Sequence, residues 1–467
     1  GSTDWKNKRY VYAVTVVVPA TGKVETNYVT DPYSTALTLN STKSVIVDMD
    51  DPAYQPKVWR EAVPNPLERE VDQSIYELHV RDFSLNDPDV PQELRGSYLA
   101  FAEDGYGRRH LQKLAEAGLN TVHLLPTFDI ASIEEDPAQQ AQPDCDLTAL
   151  APDSTKQQEC IAAVADQDAF NWGYDPWHFF APEGSYASTA GSADGGERVE
   201  EFRTMVGGLH DLGLRVVLDE VFNHTAASGQ DDKSVLDQVV PGYYHRLNDA
   251  GEVETSTCCE NIATEHALAE KLMVDSVVVW ARDYKVDGFR FDLMGHHSVA
   301  TMKAVRAGLD QLTLGRDGVD GSAVTLYGEG WNFGEVADNA LFTQATQGQL
   351  DGTSIGTFND RMRDAVRGGG PFDEDPGTTG FGSGGQKPHD TDLVQLGLIG
   401  NLRDFSMRSA ETSKEVTGAD VDYNGSPAGY AEQPWHVVNY VDAHDNETLF
   451  DSMTLKLPQD MAMSDRV

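Results

Sequence analysis

Positive charge is scarce in this chain. Its 467 residues hold 35 Lys and Arg against 76 Asp and Glu, a formal net charge of −41. A surface that acidic repels phosphate backbones and anionic lipid, which argues against nucleic acid and membrane surfaces as partners and for solubility in a saline medium. Long apolar runs are missing as well. No segment approaches the roughly 18 apolar residues that cross a bilayer, so no membrane-spanning segment is expected. The opening GSTDWKNK is polar, without a signal-peptide pattern, and Gly1-Ser2 has the look of a cloning remnant. Cysteine is nearly absent: Cys145, Cys160, Cys258 and Cys259 are the four. None has the spacing or the histidine partners of a zinc site. Cys145 and Cys160 flank one polar segment and could close a loop, while Cys258–Cys259 is an adjacent pair that is unusual to keep as free thiols. Both features favour an oxidising compartment, hence a secreted or cell-surface location, although spacing leaves the pairing open.

What the chain does have is rhythm. Residues 1–70 read as strands, with RYVYAVTVVV and SVIVDMD separated by turn clusters such as PATGK, and they suggest part of a β-sandwich. From Ile75 the pattern becomes strand, loop, helix, strand. SIYELHV, NTVHLLP, RVVLDEV, VDGFRF, VTLYGEG, SIGTF and HVVNYVDAHD are the strand candidates. Between them lie helical segments such as GRRHLQKLAEAGL, ERVEEFRTMVGGLHDLGL, residues 265–284 and VATMKAVRAGLDQL, each with apolar residues three and four apart. An acidic, Gln-rich insertion at 129–168 shows no clear periodicity. The glycine-rich stretch 367–392 reads as a long surface loop.

Strand–helix alternation predicts a parallel sheet, either doubly wound or closed as a (β/α)8 TIM barrel. Polar residues at the strand ends decide for the barrel. Asp219, Asn223 and His224 follow one strand, Arg290 and Asp292 end another, Glu329 ends a third, and His444 and Asp445 end a fourth. A barrel gathers the C-terminal ends of its strands at one mouth, whereas an open sheet spreads them along an edge. Seven candidate strands occur between Ile75 and Val441, so the expected fold class is α/β, a (β/α)8 barrel truncated before its eighth strand. The expected domains are a partial β-sandwich module at 1–70 and an incomplete barrel at 71–467.

These strand-end clusters also carry a family resemblance. DEVFNH (219–224), GFRFDLMGHH (288–297), YGEGWN (327–332) and VDAHDN (441–446) resemble, in order, the four sequence regions of the α-amylase superfamily, glycoside hydrolase family 13. FNWGYDP (170–176) is similar to the YNWGYDP signature of type I pullulanases and limit dextrinases, as are YELHVRDFS (76–84) and TFNDRMRDAVRGGGPF (357–372). Residues 1–70 resemble the tail of the carbohydrate-binding module that precedes the barrel in such enzymes. Phe170 stands for the signature's first tyrosine, and Asn332 where pullulanases usually carry aspartate, which bears on the leaving-group side of the cleft.

Glycoside cleavage needs two carboxyl groups flanking the scissile bond. Asp292 is the candidate nucleophile, with Arg290 on the same strand face to hold it ionised. Glu329 must instead stay protonated to donate to the departing oxygen, and Tyr327 and Trp331 could help by excluding water. The resemblance implies a retaining mechanism, with Asp445 steadying the transition state. It also implies that His224 and His444 bond the same glucose, that Tyr174 stacks beneath it, and that Asp219 braces Arg290. His296 and His297 either start a helix or line the cleft, and with Arg290 and Trp331 His297 completes the expected substrate-binding set.

The DLMGHH tail and the tryptophan after GEG resemble α-1,6-debranching enzymes acting on pullulan, amylopectin or limit dextrins. The partners expected are therefore α-glucan polysaccharides and oligosaccharides. An α-1,4-acting amylase or neopullulanase, and a glycan-binding protein without turnover, stay open as alternatives; binding without hydrolysis by the complete chain, rather than by this fragment, would favour the second. A metallohydrolase built on His224, Asp292, Glu329 and His444 is disfavoured, because the expected His-x-His on an early strand is absent from YELHV. No cofactor is expected for catalysis. The acidic loops offer oxygen ligands for a structural Ca2+ ion, with no metal site assigned.

Overall fold

The computed structural model describes residues 5–63, 65–150, 154–371, 375–385, 387–458 and 460–466. They divide into two compact units, Gly1–Glu68 with Gln73–Asp292 and Ala300–Val324, and Arg69–Asp72 with Leu293–Val299 and Thr325–Val467.

In the first unit, β1 (Tyr12–Val18) and β2 (Lys23–Val29) form an antiparallel hairpin paired from Tyr12–Val29 to Val18–Lys23. A second pair joins Arg9–Tyr10 to Ser44–Val45. Buried side chains tie this N-terminal region to later parts of the same unit: Arg203 donates to the carbonyls of Met49 (3.0 Å) and Tyr54 (2.8 Å), and the Trp59 indole donates to the Tyr284 carbonyl at 2.9 Å.

Four parallel strands come next, β3 (Ile75–Leu78), β4 (Thr121–Leu124), β7 (Arg215–Glu220) and β8 (Gly288–Phe291), hydrogen-bonded in that order. Between β4 and β7 lies a short antiparallel pair, β5 (Phe128–Ile130) and β6 (Pro176–Pro182). All of β4 and β7 is buried, as the continuous apolar runs of a strand covered on both faces require. Helices α1 (Tyr106–Glu116), α2 (Glu197–Asp211) and α3 (Ala267–Tyr284) are the crossovers. In α2 the Gly207-Gly208 pair, a weak choice for a helix interior, has a packing reason. A Cβ on Gly207 would sit 2.6 Å from the Trp59 nitrogen, and one on Gly208 2.8 Å from the Phe101 oxygen.

The second unit contains three parallel strands, β9 (Thr325–Gly328), β10 (Ile355–Asn359) and β11 (Val437–Asn439). Two helices, α5 (Asp360–Arg367) and α6 (Pro388–Leu398), follow β10; α4 (Val299–Leu309), which precedes β9 in sequence, belongs to the first unit from Ala300 on. Ala365, Leu393, Val394, Leu396, Met407, Val421 and Ala428 form a buried cluster.

Three local expectations change. The glycine-rich stretch 367–392 is not all loop: α6 starts at Pro388, where the proline's fixed φ and missing N–H suit the first helical turn; residues 372–374 and 386 lie outside the described residues. The insertion 129–168 carries regular pieces, part of β5 and the helix Lys156–Ala162. The last strand is three residues long, because β10 gives way to α5 at Asp360 and offers no ladder beyond the Asn359–Asn439 pair. Disulfides join Cys145 to Cys160 and Cys258 to Cys259. No helix among the described residues is long and apolar enough to cross a membrane.

Candidate active site

Strand register builds the first half of the site. Arg290 on β8 pairs with Asp219 on β7, and the two-residue strand period puts Asp292 on the same face as Arg290. Arg290 Nη1 therefore donates to Asp219 Oδ1 and to Asp292 Oδ1, both at 2.8 Å. All three side chains are buried, so the bonds act where solvent screens little. Asp219 Oδ2 accepts the Tyr174 hydroxyl at 2.8 Å and lies 3.2 Å from His123 Nε2.

The other oxygen of Asp292 is held too. Asn223 Nδ2 donates to Asp292 Oδ2 at 2.8 Å and to the Asp292 carbonyl at 3.0 Å. Asn223 Oδ1 lies 2.6 Å from His224 Nδ1, and His224 Nε2 lies 2.7 Å from the Tyr174 carbonyl. The bonds thus close a ring through Tyr174, Asp219, Arg290, Asp292, Asn223 and His224. Burial, reinforced by the Asp219 charge, pushes the Tyr174 hydroxyl well above its usual range. The same two causes push up the carboxyl of Glu220, the next residue along β7.

Leu293, the residue after Asp292 in sequence, lies in the second unit. Leu293 adopts a left-handed backbone (φ 41°, ψ 46°), a conformation costing a branched residue about 1–3 kcal/mol and typical of functional sites. Its N–H donates to Glu329 Oε2 at 2.9 Å. Glu329 follows β9, is buried, and its carbonyl accepts the Gly295 N–H at 3.0 Å. Gly295 must be glycine, since a Cβ there would lie 2.0 Å from the Trp331 carbonyl oxygen.

Tyr174, His224, Arg290 and Asp292 are thus brought into one hydrogen-bonded group. Glu329, Trp331 and His297 lie within the second unit, where Trp331 is half-buried and His297 fully buried just before α4. His444 and Asp445 sit in the loop after β11, the first half-buried and the second exposed. Two contacts were not anticipated: Asn223 on Asp292, and His123 on Asp219. The trace of His123 in the sequence is a lone ionisable residue inside the apolar strand NTVHLLP.

Among the described residues, two groups have the composition of a metal site. In His224, Cys258 and Cys259 the sulfurs are joined to each other rather than available as thiolates. In Asp129, Glu135 and Glu183, all buried, the Arg198 guanidinium already stands 3.2 Å from Glu135 and 3.7 Å from Asp129, and His178 Nδ1 stands 2.6 Å from Asp129. Burial and neighbouring negative charge raise Glu183 well above the usual carboxyl range.

The strand ends thus carry an arginine-bound aspartate in the first unit and a buried glutamate in the second, and comparison with known proteins adds what the chain is similar to. No family model matches the chain. It is 45% identical to pullulanase 1, chloroplastic, of Arabidopsis thaliana, over 100% of this chain and 50% of the relative. The crystal structure of PulA from Klebsiella oxytoca matches 100% of this chain with 48% of its own, at TM-score 0.92 and 39% identity. A maltotriose complex of PulA from Klebsiella pneumoniae matches at TM-score 0.91 and 39% identity, over 100% of this chain and 55% of that one. The chain spans about half the length of the curated relatives it matches. Its sequence and fold are similar to those of pullulanases, and the fold class is the truncated (β/α)8 barrel, with seven parallel strands among the described residues.

Proposed function

We propose that the protein carrying this chain is a retaining glycoside hydrolase that cleaves α-1,6-glucosidic branch linkages in pullulan, amylopectin or limit dextrins. The observation that carries the reading is the treatment of Asp292: buried, bound on both oxygens, and followed by a strained residue whose N–H binds Glu329. Arg290 Nη1 holds Asp292 by a hydrogen bond to Oδ1, and Asp219 braces Arg290 from the other side.

In the first step Asp292 attacks the anomeric carbon. The bond to the glycosidic oxygen breaks as the bond to the carboxylate forms, and Glu329 delivers its proton to the departing oxygen. In the second, Glu329 takes a proton from water, the hydroxide attacks the same carbon, and Asp292 leaves as carboxylate. Retention requires the two carboxyls about 5–5.5 Å apart. Asp445 would steady the oxocarbenium-like state, His224 and His444 would bond the glucose, and Tyr174, Trp331 and His297 would shape its pocket. These steps call on carboxyls and water alone; a structural Ca2+ on the acidic loops stays part of the proposal without an assigned site. So do a secreted or cell-surface location, supported by the disulfides, and a carbohydrate-binding module at 1–70 ahead of the barrel at 71–467. Maltotriose in a similar protein supports an α-glucan as the partner.

The test is product analysis with the complete protein. Pullulan should yield maltotriose; panose, or only linear α-1,4 fragments from starch, would overturn the linkage. Asp292→Asn and Glu329→Gln should each lower turnover by about 10³-fold or more, and near-normal turnover in either would remove that residue from its role.

A further inference from the structure

We infer that Asn223 is a positioning residue for Asp292, and that His224 acts on the nucleophile through it as well as on the sugar. The inference rests on Asp292 being the nucleophile, as proposed above. An aspartate's terminal torsion is broad and weakly restrained. With Arg290 alone on Oδ1, the carboxylate could swing about its Cβ–Cγ bond and lose its line to the anomeric carbon. The second donor, Asn223 Nδ2 at 2.8 Å from Oδ2, fixes the carboxylate plane. Displacements of about 1 Å at a reacting atom cost on the order of 10²-fold in rate, so this clamp is where precision is gained.

The amide's orientation follows from chemistry. An ionised carboxylate and a main-chain carbonyl only accept hydrogen bonds, and both face the same side of Asn223, at 2.8 and 3.0 Å. The NH₂ group must be on that side. Its oxygen then faces His224 Nδ1 at 2.6 Å, a bond that an Nδ1–H donates, while His224 Nε2 faces a second acceptor, the Tyr174 carbonyl, at 2.7 Å. Asn223 is fully buried, which denies the amide a water as substitute partner. Aspartate at this position would have the same shape with opposite consequences: two carboxylates across a hydrogen-bond distance, one of which must hold a proton.

The experiment uses the complete protein with pullulan. Asn223→Ala should lower kcat by about 10²-fold while KM changes little, because the clamp serves the attacking atom rather than substrate binding. Asn223→Asp should do the same near neutral pH and also move the acid limb of the kcat profile to higher pH, since a neighbouring carboxylate makes Asp292 harder to ionise. Thermal melts identify the variants that fold. In wild-type protein labelled with ¹⁵N-histidine, the His224 shifts should report a protonated Nδ1; a bare Nδ1 overturns the inference whatever the variants do. A folded variant with near-normal kcat and an unmoved acid limb also overturns it, leaving Asn223 a structural residue. A wild-type protein inactive on every α-glucan would instead sink the functional reading and this inference with it.

Discussion

Raising the pH from 5 to 8 should destabilise the folded chain by about 3 kcal/mol through one carboxyl group, that of Glu135. Glu135 shares a buried site with Asp129 and Glu183, and one guanidinium, Arg198, serves all three. Burial, with the Asp129 charge behind it, raises the Glu135 carboxyl from 4.5 to about 7, against the pull of Arg198 and of the Asn40 N–H. Below about pH 4.5 folded and unfolded chains both hold the proton, and the contribution to stability is complete. Between 4.5 and 7 the unfolded chain sheds the proton while the folded chain keeps it, so stability declines as pH rises, until the folded group also ionises. At about 1.4 kcal/mol per pH step the gap between the two values amounts to about 3 kcal/mol. With unfolding entropy near 2 cal/mol/K per residue, that is about 3 °C in Tm for a chain of 467 residues. Glu135→Gln keeps the neutral form at every pH, so its stability relative to wild type should rise by this amount from pH 5 to 8. Other titrating groups largely cancel in the comparison, and burial keeps Glu183 high in both proteins. Denaturant titrations at four pH values measure it. A wild-type-to-variant difference constant within about 0.5 kcal/mol would refute the reasoning.

Arg198→Met should destabilise by about 3–5 kcal/mol at pH 7, because it strands buried carboxylates without their counter-ion, and the deficit should shrink toward pH 5 as Glu135 takes up its proton. Gly207→Ala should cost about 1–3 kcal/mol, visible as a lower Tm, since the new methyl meets the backbone at Trp59 rather than a side chain able to move aside. If Tm is unchanged, α2 does not pack against Lys57–Arg60 as closely as described.

Much of this architecture was legible beforehand because its signals are local. Parallel strands buried on both faces read as short apolar runs, and the helices between them repeat every three to four residues. The Arg290–Asp292 pair could be placed on one strand face from the two-residue period alone. The start of α6 inside a glycine-rich stretch was not legible, because the stretch's composition outweighed the helix-start signal of Pro388. Nor was the brevity of β11, which depends on where its partner strand turns into α5.

By itself the sequence determined which residues could do chemistry and in what order they meet the strand ends, since side-chain type and backbone period belong to each short segment. Only the tertiary structure decided who holds whom. That Asn223 donates to Asp292, that His123 reaches Asp219, and that Arg198 sits among three carboxylates are contacts between residues 63 to 96 positions apart in Glu135–Arg198, Asn223–Asp292 and His123–Asp219. Such contacts exist only once packing has removed water and brought distant backbones together, and no local pattern encodes them.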